Sequence, residues 1–595
     1  MDASEFLQEL QQSQAYRGQI VHVEDIAARA ARYAELAEPL PPVVQQMLDA
    51  KGFGRLYTHQ AQAVEAVRRG ENVVVVTGTA SGKTLCYTIP VLESAIREPE
   101  ATAIYLFPTK ALAQDQLRRL REYEAMCEGL PGIATYDGDT GRSARTKVRD
   151  TCNIILTNPD MVHVNMLPAH SRWQRLLANL KYVIVDEVHA MRGIFGSHCA
   201  LLFRRLNRLC ERYGSEPIYI CCTATIANPK EHAELLTERG MTLIGDDGAP
   251  RGPKKFVFWN PPMVDQLTQR RRSANVEAAE LLTELIARDV RSIGFAKNWS
   301  ATELLARYVR EMLGRVSPSR ARKVTSYRGG YLSGERREIE RRLFTGDLLG
   351  ITSTTALELG IDVGGLDASV IVGYPGTISS TWQQAGRAGR GEEESLAFLV
   401  AYDTSINQYL MHHPGHFFGK SNELALIAPG NRNILASQLA CAANELPIAE
   451  EELARFGDIA EPALRIMEEE QMARRLNDRW YYTSPGQPAL KVSLRNITTD
   501  SYTIVDVTDP SKEAIVGTID QISVYPVLHP GAIYMHLGES YLVEELDLEQ
   551  KRALIRRVDV DYYTSPLGGR GVAVIYTIEE KKQLPGGEVW FGEVD

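Results

Sequence analysis

Short runs rich in β-branched residues alternate with helical patterns along most of this 595-residue chain. Strands that alternate with helices are typical of an α/β domain with a parallel sheet. A turn-rich stretch over residues 246–253 divides the alternation into two series. The predicted strands are 72–76, 103–107, 153–156, 182–185 and 218–222 in the first series, and 292–295, 323–326, 350–353, 368–372 and 396–401 in the second. The fold class is therefore α/β, with two tandem domains whose parallel sheets are flanked by helices.

The segments outside these two series have their own patterns. An Ala-rich stretch over 25–37 predicts a helix that the prolines at 39–42 end. Helical patterns over 431–478 followed by an aromatic, turn-forming piece at 480–486 suit a winged helix, and the alternative is a helical connector packed on the α/β core. Short strands separated by turns follow residue 491 and predict a small barrel or sandwich. Those strands are 502–507, 514–519, 522–527, 532–536, 541–545 and 572–578.

The length fits this organisation, because one domain per ~150 residues gives about four domains. The predicted boundaries are 1–45 for an N-terminal helical lead, 46–248 and 249–428 for the two α/β domains, 429–490 for the winged-helix-like domain and 491–595 for the β-rich domain.

Composition excludes several classes of protein. A net charge of −10 argues against a protein that coats nucleic acid by bulk electrostatics. The eight cysteines include no C-x-x-C pair and complete no zinc pattern, which favours reduced thiols in an intracellular protein. The start lacks the features of a signal peptide, and no apolar run approaches the ~18 residues that cross a bilayer. We expect a cytoplasmic protein, nucleoid-associated if bacterial, with no membrane partner.

The strongest local motif is a strand that runs through a small-residue loop into a helix. In a phosphate-binding loop of this kind, backbone N–H groups surround phosphates at the helix N-terminus. Lys83 would reach the β- and γ-phosphates of ATP, and the Thr84 hydroxyl would bind Mg²⁺. The usual pattern has Gly where Thr77 stands. The predicted nucleotide-binding residues of the loop are Thr77, Gly78, Thr79, Ala80, Ser81, Gly82, Lys83 and Thr84.

A second motif supports the first. An apolar strand over 182–185 leads into Asp186 and Glu187, about a hundred residues after the loop. Asp186 can hold the Mg²⁺ shell, and Glu187 can orient or deprotonate the attacking water. In the second series, Arg387 and Arg390 lie three residues apart and face one side of a helix, as arginine fingers for a γ-phosphate would. Taken alone, the two arginines are more typical of surface residues at a helix start.

Together these motifs resemble the superfamily 2 helicases, whose two motor domains are RecA-like. The remaining matches, in chain order, are Leu56-Tyr57-Thr58-His59-Gln60, Pro108-Thr109-Lys110-Ala111-Leu112, Tyr136-Asp137-Gly138-Asp139, Thr157-Asn158-Pro159-Asp160, Asp186-Glu187-Val188-His189, Thr223-Ala224-Thr225, Phe295-Ala296-Lys297-Asn298, 352–362 and 383–390.

The resemblance implies roles for further residues. Gln60 would read adenine, Gly360 and Asp362 would complete the nucleotide site, and Gln383 would join the catalytic group. Thr223 and Thr225 would couple hydrolysis to domain movement. The residues implied to contact DNA are Thr109, Lys110, Gly138, Thr157, Lys297, Arg328 and Thr352.

More narrowly, the chain resembles the mitomycin-repair-factor group, the bacterial relatives of a RecQ-like fungal helicase. The residues that carry this likeness include Arg328-Gly329-Gly330-Tyr331, Tyr374-Pro375-Gly376, His529-Pro530-Gly531-Ala532-Ile533-Tyr534 and Asp559-Val560-Asp561-Tyr562-Tyr563. The group implies ATP- and Mg²⁺-driven 3′→5′ translocation on single-stranded DNA, unwinding of forked DNA, and DNA repair by a monomer. It also implies a C-terminal zinc segment with four cysteines. No cysteine follows Cys441, so the chain is either truncated or has no zinc module.

Local clusters of basic residues show how a chain with a net acidic charge can still bind nucleic acid. Arg270, Arg271 and Arg272 form one cluster, and a second crowds the segment 315–342. They predict a basic DNA channel, with solvated helix faces as the alternative. Tyr481 and Tyr482 are candidates for the wedge that separates strands. Two alternative functions are an RNA helicase or RNA–protein remodeller, and an ATP-gated nucleic-acid-binding protein that does not unwind.

Overall fold

The computed structural model describes residues 2–127, 129–138, 140–265, 267, 270–359, 365–389, 393–419, 422–495, 501–509, 513–560, 562–564, 566, 574–584 and 587–594. The chain forms two compact units, Met1–Thr499 and Asp500–Asp595.

The N-terminal segment is shared between two domains of the first unit. Its elements are α1 (Ala3–Gln12), β1 (Ile20–Ile26), β2 (Tyr33–Ala34), α2 (Pro42–Ala50) and β3 (Leu56–Tyr57). Phe6 and Leu7 pack into the core of the second α/β sheet, and β1 pairs antiparallel with a strand of that sheet. Val44, Met47 and Leu48 of α2 pack into the core of the first.

The predicted helix over residues 25–37 is wrong. Residues 20–26 form β1, and the backbones of Arg29 and Arg251 exchange two hydrogen bonds of 2.8 and 2.9 Å. The helix propensity of alanine is a weak preference, a few tenths of a kcal/mol per residue over most residues. Strand pairing along this segment outweighs it.

The first α/β domain, lobe one, has a seven-stranded parallel sheet in the order β10-β4-β9-β8-β5-β7-β6. Its elements are α3 (Thr58–Arg68), β4 (Val73–Val76), α4 (Thr84–Arg97), β5 (Thr102–Leu106), α5 (Lys110–Glu124), β6 (Gly132–Thr135), α6 (Arg142–Thr151), β7 (Cys152–Thr157), α7 (Pro159–Met161), α8 (Gln174–Ala178), β8 (Leu180–Val185), α9 (Gly193–Tyr213), β9 (Ile218–Thr223), α10 (Pro229–Thr237) and β10 (Thr242–Ile244).

The second, lobe two, has the order β1-β11-β18-β17-β14-β16-β15, parallel except for β1. Its elements are β11 (Lys254–Trp259), β12 (Met263–Asp265), β13 (Arg270–Arg271), α11 (Ala274–Ala287), β14 (Ser292–Phe295), α12 (Trp299–Val316), α13 (Pro318–Ala321), β15 (Val324–Tyr327), α14 (Ser333–Phe344), β16 (Gly350–Ser353), β17 (Ala368–Val372), α15 (Ile378–Ala385), β18 (Ser395–Val400), α16 (Ser405–His412) and α17 (Pro414–Phe418). The two predicted parallel-sheet domains are confirmed.

A small helical domain follows and packs on lobe one. It comprises α18 (Arg432–Glu445), β19 (Ile448–Ala449), α19 (Ala460–Glu469), β20 (Ala473–Leu476) and β21 (Arg479–Tyr482), with a three-stranded sheet in the order β19-β21-β20. Arg205 of α9 is fully buried and its guanidinium pairs with the buried carboxylate of Glu445, Nε lying 3.0 Å from Oε2. The same guanidinium donates to Gln438 at 2.6 Å. Two helices of different domains therefore share one buried polar cluster.

The second unit contains an open sheet in the order β23-β22-β26-β25-β24 and a separate hairpin. Its elements are β22 (Ser501–Asp506), β23 (Ala514–Asp520), α20 (Gln521–Leu528), β24 (Ile533–His536), β25 (Glu539–Asp547), β26 (Arg552–Val558), β27 (Val574–Leu584) and β28 (Gly587–Val594). Over its described residues the five-stranded sheet does not close, so a barrel formed by these strands is wrong, whereas the predicted β-rich domain is confirmed.

The strand predicted at 522–527 is also wrong, because that stretch lies in α20. The side chain of Asp520 accepts a hydrogen bond from the backbone N–H of Ser523 at 2.9 Å. Asp at this N-cap position stabilises the start of a helix by about 1 kcal/mol, which the apolar β-branched pattern concealed. Within the described part of the chain, no helix has the length and apolarity needed to span a bilayer.

The buried Arg205–Glu445 pair gives the first testable prediction. Arg205→Met leaves the Glu445 carboxylate buried without its counter-charge, and losing one partner of such a pair costs about 3–5 kcal/mol. We expect a large loss of stability in denaturant unfolding, followed by probes in lobe one and in the helical domain. The control is Arg455→Met, which removes a partly exposed pair with Glu211 and should cost under about 1 kcal/mol. Equal small effects from the two variants would contradict the buried pair's role in joining the domains.

Candidate functional site

The small-residue loop between β4 and α4 has the backbone geometry of a phosphate cradle. Ala80 and Gly82 have positive φ angles of 59° and 76°, which curl the loop. Thr77 has no such angle, so glycine is not required there. Its buried hydroxyl instead lies 2.6 Å from that of Ser81 and holds the two ends of the loop together. The departure from the usual glycine pattern is therefore compatible with the fold.

Lys83 points back across the loop. Its Nζ donates to the carbonyl oxygens of Thr77 and Gly78 at 2.9 Å each. A cation held at the mouth of a helix N-terminus suits an anionic ligand, because the helix dipole and the free N–H groups of α4 add to its field. The loop therefore fits the phosphates of a nucleotide.

Two acidic side chains end β8 beside the loop. Asp186 is buried, its Oδ2 accepts from the Tyr87 hydroxyl at 3.0 Å, and its Oδ1 accepts from the Glu187 N–H at 2.8 Å. Burial, together with the neighbouring charge of Glu187, holds the pKa of Asp186 well above its usual range. The Asp186 carboxylate and the Thr84 hydroxyl are the hard oxygen donors that suit Mg²⁺.

Glu187 has a left-handed backbone, with φ 54° and ψ 46°. A non-glycine residue in this region costs about 1–2 kcal/mol and is found where the surrounding structure enforces it. The turn directs the Glu187 side chain into the cleft, where it also lies 3.6 Å from His189. Strain at a residue in the same cavity as the phosphate-type loop is consistent with a catalytic position.

His189 joins the two lobes. Its Nδ1 accepts from the backbone N–H of Ala224 at 3.2 Å, and its Nε2 lies 2.5 Å from the amide nitrogen Nε2 of Gln383 in lobe two. Burial lowers the pKa of His189 to about 4, so the ring is neutral at pH 7. Because Nδ1 accepts, Nε2 carries the proton, and the amide oxygen of Gln383 is the group that can accept it.

The predicted coupling residues lie around this contact. Thr223 is buried beside the His189 ring, with 3.3 Å between its hydroxyl and Nδ1. The carbonyl of Thr225 accepts from Asn422 at 2.8 Å and from Ser379 at 3.3 Å, both in the lobe-two part of the chain. These threonines therefore lie where lobe one meets lobe two.

The helix α15 carries Gln383 and leads directly to Arg387. Arg387 is buried, and this burial lowers its pKa while the charges of Glu187 and Glu358 oppose that change. Lys254 fixes the end of the helix, because its buried Nζ donates to the carbonyls of Ala385 and Ala388 at 2.7 and 2.6 Å. Sequence reasoning missed Lys254, and no motif signal marks it.

A cavity of about 270 Å³, which we call the phosphate cavity, brings these groups together. Lobe one contributes the loop from Thr79 to Thr84, Asp186 and Glu187, and lobe two contributes Gln383 and Arg387. Two further residues of α5, Gln116 and Arg119, also line it and were not predicted. Their spacing of three residues on a helix was the available signal. The buried Oε1 of Gln116 has no hydrogen-bond partner among the described residues, which fits a polar ligand.

Gln60 lies next to the loop, at the edge of a larger cavity of about 660 Å³. Its Nε2 donates to the Gly82 carbonyl at 3.0 Å, and its Oε1 accepts from the Tyr57 N–H at 2.9 Å. Aromatic rings of Tyr33 and Tyr57 face each other at 5.4 Å in the same cavity wall. The cavity suits a flat base, and Gln60 ties that wall to the phosphate loop.

Three predicted site residues, Gly360, Asp362 and Arg390, lie outside the described residues.

The residues predicted to contact DNA divide into accessible and buried ones. Thr109 caps α5 by accepting from the Leu112 N–H at 3.4 Å and remains partly exposed. Lys110, beside it, approaches exposed Gly138 so closely that a Cβ there would lie 3.0 Å from Nζ. Lys110 also lines a cavity of about 360 Å³ that includes Arg336 and Arg337 of lobe two. Lys297 is exposed at the end of β14.

The side chains of Thr157, Arg328 and Thr352, which were also predicted to contact phosphates, are buried in this structure. The two hydroxyls donate to backbone carbonyls at 2.6 and 2.9 Å. Arg328 pairs with buried Glu303 at 2.9 Å, and its guanidinium carbon lies 4.7 Å from the ring centre of Trp299. Glu303 neutralises this arginine inside lobe two.

Several members of the basic clusters are neutralised by acidic neighbours. Arg272 pairs with Glu277 and Glu280, Arg320 with Asp289, and Arg341 with Glu338. The solvated-face alternative therefore applies to them, and Arg336 and Arg337 are the members that face the cavity beside Lys110.

Within the part of the chain that is described, no group of three or more His, Cys, Asp or Glu residues could hold a metal ion.

Comparison with known proteins agrees with this geometry. A family profile described as DEAD/DEAH box helicase matches residues 57–232, and one described as helicase conserved C-terminal domain matches 277–392. The winged helix domain of the ATP-dependent helicase HRQ1 matches 427–497. The small helical domain is thus a winged helix, as predicted, and the two lobes are the RecA-like domains of a helicase.

Proteins that match over most of this chain indicate the same family. The Bacillus subtilis protein named uncharacterized ATP-dependent helicase YprA is 46% identical over 547 residues, covering 92% of this chain and 72% of YprA. The crystal structure of the DUF1998 helicase MrfA bound to DNA matches with a TM-score of 0.92 at 43% identity, over 100% of this chain and 78% of that one. The chain belongs to the MrfA and HRQ1 family of ATP-dependent DNA helicases. The predicted resemblance is confirmed.

The Saccharomyces cerevisiae ATP-dependent helicase HRQ1 is 38% identical over 576 residues, which cover 94% of this chain. The matched region is 53% of HRQ1, so the chain spans about half the length of that relative.

Glu187→Gln tests the site directly. The amide keeps the shape of the side chain but cannot accept a proton from water, so ATP turnover should fall at least ~100-fold while nucleotide affinity changes little. Phosphate production and binding of a fluorescent ATP analogue are the two measurements. Glu216→Gln, at an exposed surface pair with Arg239, is the control and should retain wild-type turnover. Wild-type hydrolysis by Glu187→Gln would remove Glu187 from the chemistry.

The raised pKa of Asp186 predicts proton release when Mg·ATP binds. A carboxyl whose folded-state pKa is raised keeps its proton to higher pH, and the ligand-free protein loses stability as pH rises through that pKa. Cation binding needs the carboxylate, so Mg·ATP affinity should rise as pH increases from 6 to 8. Calorimetry in buffers of different ionisation enthalpy measures the released protons. Asp186→Asn should abolish the release, and equal release by both proteins would contradict the assignment.

Proposed function

We propose that this protein hydrolyses ATP to move 3′→5′ along single-stranded DNA and to unwind forked duplex in DNA repair. The single observation that carries the proposal is the phosphate cavity, since its walls come from both lobes. A motor of this kind needs hydrolysis to depend on the distance between its lobes, and a site completed by two lobes provides that dependence.

In lobe one, Lys83 and the loop N–H groups would hold the phosphates, Thr84 and Asp186 would hold Mg²⁺, and Glu187 would orient and deprotonate the water. In lobe two, Arg387 stabilises the charge that builds on the transferred phosphoryl group. Bound Mg²⁺ supplies charge neutralisation of the β- and γ-phosphates. Gln383 contacts neutral His189, and this buried contact holds the Gln383 amide beside the phosphate cavity.

The strand contacts proposed for DNA lie at the accessible residues Thr109, Lys110, Gly138 and Lys297. Hydroxyl, ammonium and backbone groups bind phosphate without reading bases, which suits a motor that runs over any sequence. The cavity between Lys110 and Arg336 adds a place where both lobes can contact one strand. DNA is favoured over RNA because the related MrfA structure is bound to DNA.

The direction of movement and the repair role rest on the likeness to the mitomycin-repair-factor group. We further propose that the protein acts as a monomer in the cytoplasm, associated with the nucleoid in a bacterium.

Partial duplexes with either a 3′ or a 5′ single-stranded tail test the polarity. We expect ATP-dependent unwinding of the 3′-tailed substrate only, measured by fluorescent strand displacement, and none by Lys83→Ala because the loop loses its cation. ATPase stimulation by single-stranded DNA should exceed that by RNA of the same length and base composition. Stimulation by RNA alone would favour the RNA helicase, and DNA-stimulated hydrolysis without displacement from either tail would favour the ATP-gated binding protein.

A further inference from the structure

A second cavity of about 320 Å³, which we call the rear cavity, adjoins the phosphate cavity. The two cavities share part of their walls, so they lie on either side of one thin partition. The shared residues are Thr79, Ala80, Ser81, Ala224, Gln383 and Gly386.

The partition includes a close contact between Thr79 of lobe one and Gly386 of lobe two. The Thr79 hydroxyl lies 3.5 Å from the carbonyl oxygen of Gly386, at the limit of a hydrogen bond. A Cβ at residue 386 would lie 2.1 Å from that hydroxyl, so only glycine permits the approach. The Thr79–Gly386 hydrogen bond is long, so a movement of α15 away from the loop, which also breaks the Gln383–His189 contact, opens the partition.

The rear cavity is cationic. Its charged lining residues are Arg29, Arg251, Lys254 and Asp247. Arg29 pairs with Asp247 at 2.7 Å, which leaves the charges of the other two uncompensated by acidic lining residues. Burial lowers the pKa of Lys254 to about 7, so this group is partly charged at neutral pH. Arg251 is exposed at the outer side and donates to the carbonyl of Ala27 at 3.3 Å.

We propose that the rear cavity binds orthophosphate and is its exit path after ATP hydrolysis. In that reaction the water oxygen bonds to the γ-phosphorus, the bond to the β–γ bridging oxygen breaks, and ADP keeps the electron pair. ADP then fills the side of the site next to Gln60, so the phosphate leaves on the opposite side, past Thr79 and Gly386. A cationic cavity there attracts the anion, and its volume holds a five-heavy-atom ion with water around it.

This path rests on the proposed ATP site, and it adds a role for residues outside the helicase motifs. Arg251 lies at the outer end, where a passing anion meets solvent, and its side chain is not part of the groups that cut ATP. A substitution of Arg251 should therefore change the rate of orthophosphate release and leave the rate of ATP cleavage unchanged.

The experiment follows cleavage and release separately in the full chain with saturating single-stranded DNA. Rapid quenching measures ATP cleavage, and a fluorescent phosphate-binding protein measures free orthophosphate. In Arg251→Gln we expect cleavage within about twofold of wild type and phosphate release slowed roughly three- to tenfold, in the range of electrostatic effects on charged ligands. Arg251→Glu should slow release further, and Arg251→Lys should restore it. Raising the salt concentration should shrink the difference from wild type.

Arg32→Gln is the matched control, because Arg32 pairs with Asp246 in the same interlobe segment but does not line the rear cavity. Its release rate should equal that of the wild type. Unchanged release in both Arg251→Gln and Arg251→Glu would overturn the path, as would equal slowing of cleavage and release. Absence of hydrolysis by the wild-type chain would instead overturn the proposed ATP site.

Discussion

The contact between His189 and Gln383 is the interaction on which the motor geometry depends. It joins the strand end that leads into Asp186 and Glu187 to helix α15, which leads to Arg387. Both side chains are buried, and the ring is neutral, so the contact survives without a counter-charge. A displacement of either lobe must break this hydrogen bond, the approach of Thr79 to Gly386, and the contacts of Thr225 together. The chemical site and the interlobe surface are thus one structure.

The winged helix is attached firmly to lobe one, whereas lobe two is not. The winged helix is fixed to lobe one, because the Arg205–Glu445 pair is buried and Arg208 adds contacts to Glu452 and to backbone carbonyls. The linker after lobe two also runs along lobe one, where Asn228 and Ala425 exchange two hydrogen bonds. Lobe two is therefore the part whose position can change with the nucleotide.

Sequence reasoning predicted the fold of both lobes because strands, loops and helices of a parallel sheet have local signals. The strands at 292–295, 350–353 and 368–372 have the predicted bounds. It also found the residues that meet in the phosphate cavity, from Lys83 to Arg387. It failed where long-range contacts decide the outcome. The pairing of β1 with β11 overrode an Ala-rich pattern, and no local signal indicated that Arg328 pairs with Glu303 in the interior.

The same limit explains the residues that were missed. Lys254 stands in an ordinary strand sequence, and its role arises from the helix end that the fold places above it. Gln116 and Arg119 follow a recognised motif, yet only the folded α5 shows that they face the nucleotide cavity. Sequence motifs identify residues that contact the ligand. Residues such as Lys254, which hold the motif residues in position, belong to no recognisable sequence pattern.

The N-terminal segment changes how lobe closure must occur. Two chain segments run between the lobes. One is the interlobe linker at residues 246–253, and the other is residues 27–32, which pair with that linker at Arg251 and Gly248. Asp247 of that linker also lies 3.4 Å from the Gly78 N–H of the phosphate loop and is held by Arg29. A rotation of lobe two therefore bends a paired ribbon that touches the phosphate loop. This geometry links the loop's position to the interlobe angle through a second set of contacts, so the His189–Gln383 contact is not the sole link between the nucleotide site and the interlobe surface.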